Sequence, residues 1–371
     1  MEKLLYELRR LDKIPNGAVR EYEEKKEDLM EYVNLKMEAH PKIDQYLGES
    51  PKELMYNNNR NHVEFMTNVF KFNDFEMLAR VLPGIYRSYM ARDFLPEYFI
   101  KSLEAWQEAI GKILTPLTAK AITPVYVTMG KLHQEVLLAS KDEANVVGFS
   151  DNNFPKIKER FLHALLDGDH IECMNITKEF LFIQKKDIKR FYLGILQPAL
   201  YEIGRLWEYG QISVAEEHLA TAIAGRVMAS VYNKFYVYEK EKGKVIVTCS
   251  PNEFHEVGGR MIADALEFDG WDVHYMGANV PIEELLLNIE KISPNILAIS
   301  TAMPFNLDAT QHIVERVRKE FGDTDLKIMV GGLAFAYSPN LWEQMGADGW
   351  GGDVEEAIKL ARGWWADNEK T

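Results

Sequence analysis

The fold is decided by Lys244-Val-Ile-Val-Thr-Cys249 and the ten residues after it, Ser250-Pro-Asn-Glu-Phe-His-Glu-Val-Gly-Gly259. A short, largely β-branched apolar run bounded by Ser-Pro-Asn predicts a buried strand. The glycines then open an amphipathic segment that predicts a helix over 257–268, and His255 stands on the turn between strand and helix. Further strand-like runs follow at 272–276, 295–300, 326–330 and, more weakly, 347–350. Helical stretches alternate with them near 257–268, 281–291, 308–320, 338–345 and 353–365. Strand alternating with helix means a parallel sheet covered on both faces, a Rossmann-like α/β domain expected over 241–371. Such sheets bind ligands at the carboxyl ends of their strands. The loops that matter are therefore 250–257, 277–281, 300–307 and 331–338.

Upstream the rhythm is helical. In 149–240, Asp151 is placed to cap a helix carrying Phe154, Ile157, Phe161 and Leu165, and Asp167-Gly-Asp169 breaks it. Helices fit 170–184, 187–209 and 213–237, with Ser213 and Glu216 spaced as a capping box, so a four-helix bundle is expected. Residues 1–148 predict an all-helical domain of six or more helices, with long amphipathic stretches near 61–72, 74–92, 96–114 and 117–140 and a Ser50–Glu53 capping pair. The chain is thus read as multidomain, α followed by α/β.

Composition narrows the function. The net charge of −14 argues against direct nucleic-acid binding, which needs a basic face. No apolar run is long enough to span a membrane, and the charged start MEKLLYELRR lacks the apolar centre of a secretion signal. Cys173 and Cys249 are too few for a disulfide framework or a zinc pattern, so a cytoplasmic protein is expected.

Three loops together carry a sharper signal: Glu253-Phe-His255-Glu-Val-Gly258, Ser300-Thr301 after the third strand, and Gly331-Gly332 after the fourth. With "EFDGWDVHYMGANVPIEELL" they make 244–366 resemble the cobalamin-binding domain of methionine synthase and its relatives. The resemblance implies that His255 is the lower axial ligand of cobalt and that the cofactor's own base is displaced into a slot in the domain. Gly331 and Gly332 would then admit the nucleotide tail, Ser300 (beside Thr301) would hydrogen-bond the displaced base, and Gly258 would allow close approach at the helix start. Glu253 is placed to fix the histidine tautomer. Two departures stand out: Glu253 replaces the usual Asp, and Asn252 the usual Gly.

The bundle segment "LYEIGRLWEYGQISVAEEHLATAIAG" contains Trp207, nine residues, then Glu217-His218, which is similar to the signature of CarH-type light-dependent regulators. That likeness implies an adenosyl pocket above cobalt, with Trp207 stacking over the group, Glu217 hydrogen-bonding it and His218 lining the same space. The family has a histidine after the Trp; here that residue is Glu208, so that route to a second cobalt ligand is closed. No basic winged helix-turn-helix precedes the bundle. A large helical domain in that place resembles the photocobilins, which implies biliverdin as a second chromophore. "IYRSYMARDFLPEYF" supplies Arg87 and Arg92 for its propionates, and His62 and His133 could approach its pyrrole nitrogens. Residues 1–148 hold no Cys, so a bilin there would be noncovalent.

These readings expect an adenosylcobalamin light sensor rather than an enzyme. It would signal by a change of shape or association, the latter as a homo-oligomer, to a downstream protein partner. The alternatives are a corrinoid methyl carrier of a methyltransferase system and a cobalamin-level regulator that does not use light.

Overall fold

A computed structural model of the chain describes residues 1–142, 154–183, 187–235 and 240–368. It divides into two compact units, Met1–Val146 with Glu208–Gly210, and Val147–Trp207 with Gln211–Thr371. The expected boundary at 148/149 and the Asp151 cap lie outside the described residues.

Nine α-helices are described in residues 1–142, from Glu2–Leu8 to His133–Ser140. Two expected elements change. The helix expected over 61–72 begins earlier, as Lys52–Phe72. The stretch 117–140 divides into Pro116–Lys131 and His133–Ser140, because Leu132 leaves helical geometry at φ −89°, ψ 5°. Ser50 is not a cap: Pro51 holds the N-cap position without a side-chain bond, and the Ser50 hydroxyl donates instead to the Arg92 carbonyl at 2.5 Å. Tyr22, Phe70, Tyr98, Trp106 and Tyr126 fill the centre of this unit. Two of their hydroxyls meet, Tyr22 Oη lying 2.9 Å from Tyr126 Oη, and Tyr98 Oη accepts from Asn58 Nδ2 at 3.1 Å.

The second unit opens with the bundle: Pro155–Leu166, His170–Lys178, a segment from Ile188 whose last residue, Glu208, groups with the first unit, and Val214–Phe235. The Ser213–Glu216 capping box forms, with Ser213 N donating to Glu216 Oε2 at 2.7 Å and Glu216 N to Ser213 Oγ at 3.2 Å. Asp169 caps its helix by accepting from Glu172 N at 2.9 Å. Two π-turns, Glu179–Ile183 and Tyr192–Leu196, interrupt the α-helical pattern. Side-chain spacing over 187–209 does not distinguish a π-turn from regular helix, so the sequence reads as one continuous helix there.

Five parallel strands follow: β1 (Lys244–Cys249), β2 (Asp272–Gly277), β3 (Ile296–Ser300), β4 (Lys327–Gly331) and β5 (Gly349–Gly351), in the order β2-β1-β3-β4-β5. Central strands β1 and β3 are buried almost throughout, as a sheet covered on both faces demands. Each buried Val or Ile there contributes roughly 1.5–3 kcal/mol. The expected helix 338–345 is instead Leu333–Ala336 and Leu341–Met345; Pro339 disfavours helical geometry at Ser338 before it. One apolar cluster runs from Phe161, Phe191 and Val227 of the bundle through Val245 and Met261 to Trp271, joining bundle and sheet. The strand order reverses direction between β1 and β3, which places a crevice at their carboxyl ends.

Candidate functional site

Ser250 to Val257 leave β1 at that crevice. Asn252 turns the chain with φ 61°, a left-handed conformation that Gly adopts freely and Asn tolerates better than most residues. This accounts for Asn where the resembled family has Gly. Asn252 N donates to Asn279 Oδ1 at 2.9 Å and its carbonyl accepts from Asn306 Nδ2 at 3.2 Å, so the turn is tied to both neighbouring loops. Asn252→Gly should leave stability within about 0.5 kcal/mol, whereas Asn252→Val, which resists positive φ, should lose roughly 1–3 kcal/mol; denaturant unfolding measures both.

The turn delivers Glu253 into the protein, 0% exposed, and leaves the His255 side chain 62% exposed. Glu253 Oε1 accepts from His255 N at 3.0 Å and lies 2.6 Å from His255 Nδ1. Oε2 accepts from Ala302 N and Met303 N, both at 2.9 Å, and from Asn306 Nδ2 at 3.2 Å. Burial alone would push this carboxyl up, but the His255 bonds and charge together with the backbone N–H groups win and hold it down at about 2. An ionised carboxylate only accepts, so in the neutral imidazole of His255 the proton sits on Nδ1 and Nε2 keeps its lone pair. The hydrogen bond to Glu253 raises the His255 pKa, burial opposes it, and the charges of Glu253 and then Glu217 add to the rise. Glu217 of the bundle therefore stands within electrostatic reach of His255. The sequence reading missed Asn306 and the two N–H groups after β3: nothing in "TAMPFN" marks them, and only the β1–β3 pairing brings them to Glu253.

Ser300 and Thr301 face different surroundings. The Ser300 Cβ lies 3.4 Å from where a Cβ on Gly259 would stand, on the side of helix Val257–Phe268. Thr301 is fully buried and its hydroxyl pairs with Thr310 Oγ1 at 2.6 Å, so it serves the packing of helix Leu307–Phe321. The glycines also divide. A Cβ on Gly258 would meet no atom within 4 Å, leaving the helix start open to a ligand. At Gly331 a Cβ would come 2.8 Å from the Gly351 carbonyl, and at Gly332, with φ 96°, it would come 2.8 Å from Thr301 N and nearer still to the Thr301 carbonyl. Both are required by the fold itself, whatever they admit. Gly332→Ala should lose roughly 2–4 kcal/mol, combining positive φ with a backbone clash, as a lowered denaturant midpoint; unchanged stability would contradict the geometry.

On the bundle, Glu217 Oε2 lies 2.5 Å from His218 Nδ1 and Oε1 accepts from Thr221 Oγ1 at 3.0 Å, while the His218 side chain is 75% exposed. Trp207 is half-buried at the end of helix Gln197–Glu208. Glu208 itself groups with the first unit, where its Oε1 accepts from Arg87 Nη1 at 2.8 Å.

The four residues expected to hold a bilin lie in the first unit, each with a protein partner. His62 Nε2 lies 3.1 Å from Tyr126 Oη, its ring 4.8 Å from that of Trp106, and burial pushes its pKa down to about 3. His133 Nδ1 lies 3.2 Å from Tyr86 Oη. Arg87 is 5% exposed and also donates from Nε to the Ser140 carbonyl at 2.8 Å, so it is an interior cation. Arg92 bonds Ser88, reaching its Oγ at 3.0 Å.

Comparison with known proteins adds the ligand class. The B12 binding domain family matches residues 243–359, and a second B12 binding domain family matches residues 157–232. The chain carries cobalamin-binding domains. It is 28% identical over 140 residues to the HTH-type transcriptional repressor CarH of Myxococcus xanthus, covering 38% of this chain and 46% of that one. It is 24% identical over 170 residues to dimethylamine corrinoid protein 2 of Methanosarcina mazei, covering 45% and 78%. The monomethylamine corrinoid protein of Methanosarcina barkeri shares the fold of 56% of this chain and 97% of its own, with a TM-score of 0.51 and 19% identity. Among the described residues no helix is long and apolar enough to cross a membrane, and no three His, Cys, Asp or Glu converge as a metal cage. A metal on His255 would need its other ligands from elsewhere, as a corrin ring provides.

Proposed function

We propose that the chain is a cytoplasmic adenosylcobalamin light sensor, not an enzyme, with biliverdin as a second chromophore in the first unit. His255 would hold cobalt from below through Nε2, with the cofactor's own base displaced. The observation that carries this reading is the buried Glu253 that fixes the His255 tautomer while Glu217 stands within its electrostatic reach. The residues fit the group: the His255 side chain is exposed, Gly258 leaves open space at the helix start, and the buried Ser250 Oγ at the crevice has no hydrogen-bond partner. Bound adenosylcobalamin would supply a cobalt–carbon bond that visible light breaks. Glu253 orients the imidazole, and on this reading Glu217 and Trp207 would face the adenosyl side. Glu208, paired with Arg87, offers no imidazole to cobalt once that side opens. Biliverdin, if held in the first unit, would have to displace the contacts that His62, His133, Arg87 and Arg92 now make within it. The output would pass to a protein partner as a change of shape or association.

The likeness to dimethylamine corrinoid proteins favours a second reading, a methyl carrier serving a methyltransferase. One experiment separates the two. The purified chain is loaded with adenosylcobalamin or biliverdin, and absorption and oligomeric state are recorded before and after green light. A protein-bound photoproduct with altered association supports the sensor. Photolysis with no change in shape or association, together with methyl transfer from bound methylcobalamin, overturns it.

A further inference from the structure

A corrin ring on His255 must lodge between the bundle, which carries Glu217, and the loop after β1. On that reading of the ligand, the bundle and the sheet layer have to part and rejoin. Most of what joins them is apolar, with Val227 and Val231 packing in one cluster with Met261 and Ala265. One buried polar contact crosses the same seam. Tyr192, on the π-turn Tyr192–Leu196, donates from its hydroxyl to Asp264 Oδ2 at 2.6 Å. Asp264 lies on helix Val257–Phe268, the helix that starts just after His255. Tyr192 is fully buried and Asp264 is 7% exposed.

We propose that Asp264, buried against Tyr192 at this seam, is a proton-controlled tie between the bundle and the sheet layer: closure is firm while Asp264 holds a proton and slackens once it ionises, because the buried carboxylate loses more hydration than the Tyr192 bond returns. A carboxylate closed into this seam gives up water and gains little in return. Besides Tyr192 it has Arg260 one turn earlier on its own helix, which favours the charged form, and Glu267, which opposes it. Tyr275 of β2 feels the same carboxylate. From the bundle, Gly225 approaches Arg260, where an added Cβ would stand 4.0 Å from Nη1. Burial is the largest influence, and it pushes the Asp264 carboxyl up to about 6.

An opened seam would return Asp264 to water and to an ordinary pKa of about 3.9. The closed form therefore keeps its proton to higher pH. Closure is favoured most below about pH 4, weakens as pH rises through 6 and is constant above that. Between pH 5 and pH 8 the closed-to-open ratio should fall about tenfold.

The test uses the full chain without cofactor. Amide hydrogen exchange, corrected for intrinsic rate, is followed in helices Val214–Phe235 and Val257–Phe268 at pH 5 and pH 8. Wild-type protection should fall about tenfold. Asp264→Asn, which imitates the protonated acid, should remain protected at both pH values. Tyr192→Phe removes a bond that favours the charged form, so its transition should move to higher pH. That variant keeps the test open if Asp264→Asn fails to fold. Flat wild-type protection, or the same slope in Asp264→Asn, overturns the tie. In a second arm, at pH 8, where the His255 imidazole is free to bind cobalt, release of hydroxocobalamin from loaded protein should be slower in Asp264→Asn than in wild type. If exchange behaves as stated but hydroxocobalamin does not bind, the tie stands and the cobalamin reading of the site falls.

Discussion

Replacing His255 with alanine is expected to abolish the histidine-ligated cobalamin spectrum and to weaken binding by roughly 100-fold or more. Losing a partner behind a metal ligand typically costs 10- to 100-fold, and losing the ligand itself should cost at least that much. The fold should survive, because the side chain is 62% exposed and its one anchoring bond runs to Glu253 at 2.6 Å. Hydroxocobalamin titration followed by absorption, beside thermal unfolding of the cofactor-free chain, measures both quantities. A variant that kept the wild-type spectrum and affinity would remove His255 from the cobalt site.

Removing the Glu253 carboxylate should damage fold and ligand together. Glu253→Ala leaves the N–H groups of His255, Ala302 and Met303 without this acceptor and the Asn306 amide with only the Asn252 carbonyl. Stranding several buried donors should cost roughly 3–5 kcal/mol, read as a lowered denaturant midpoint. Glu253→Gln keeps the shape but removes the charge, and should weaken cobalamin binding 10- to 100-fold. The pH dependence has a definite sign. The His255 pKa is raised above 6.5, first by its hydrogen bond to Glu253, and protonated imidazole cannot bind a metal. His-ligated cobalamin should therefore be lost as pH falls through that raised value, and Glu253→Gln should move the midpoint lower. Stability of the pair runs differently. The Glu253 part is present above its unfolded pKa and is lost as pH falls from about 4.5 towards 2. The His255 part is present below 6.5 and is lost as pH rises through its raised value. An unchanged binding midpoint in the Gln variant would show that Glu253 does not set the histidine's charge.

Much of the architecture was legible because its signals are local. The helix expected over 257–268 is found at Val257–Phe268, and four strand runs lie within a residue of their expected ends. The Ser213–Glu216 capping box also formed, since both of its partners lie within one helical turn. Ser50 satisfied the same pattern and failed, because the Arg92 carbonyl, distant in sequence, took its hydroxyl. Gly332 looked like room for a ligand and proved to be room for the Thr301 backbone. Spacing along one element cannot reveal what another element brings to it.

Alone, the order of residues from 244 onward determined a parallel sheet with its loops at one end and named His255 and Glu253 as the pair at the first of them. That information is local, carried by apolar period, turn residues and a two-residue spacing. Tertiary structure decided the rest: that Glu253 is a buried carboxylate held below the usual range, that Asn306 and the N–H groups of Ala302 and Met303 hold it, and that Thr301 serves packing. It decided these because β1 pairs with β3, and hydrogen bonds spanning some fifty positions of sequence exist only once that pairing has formed.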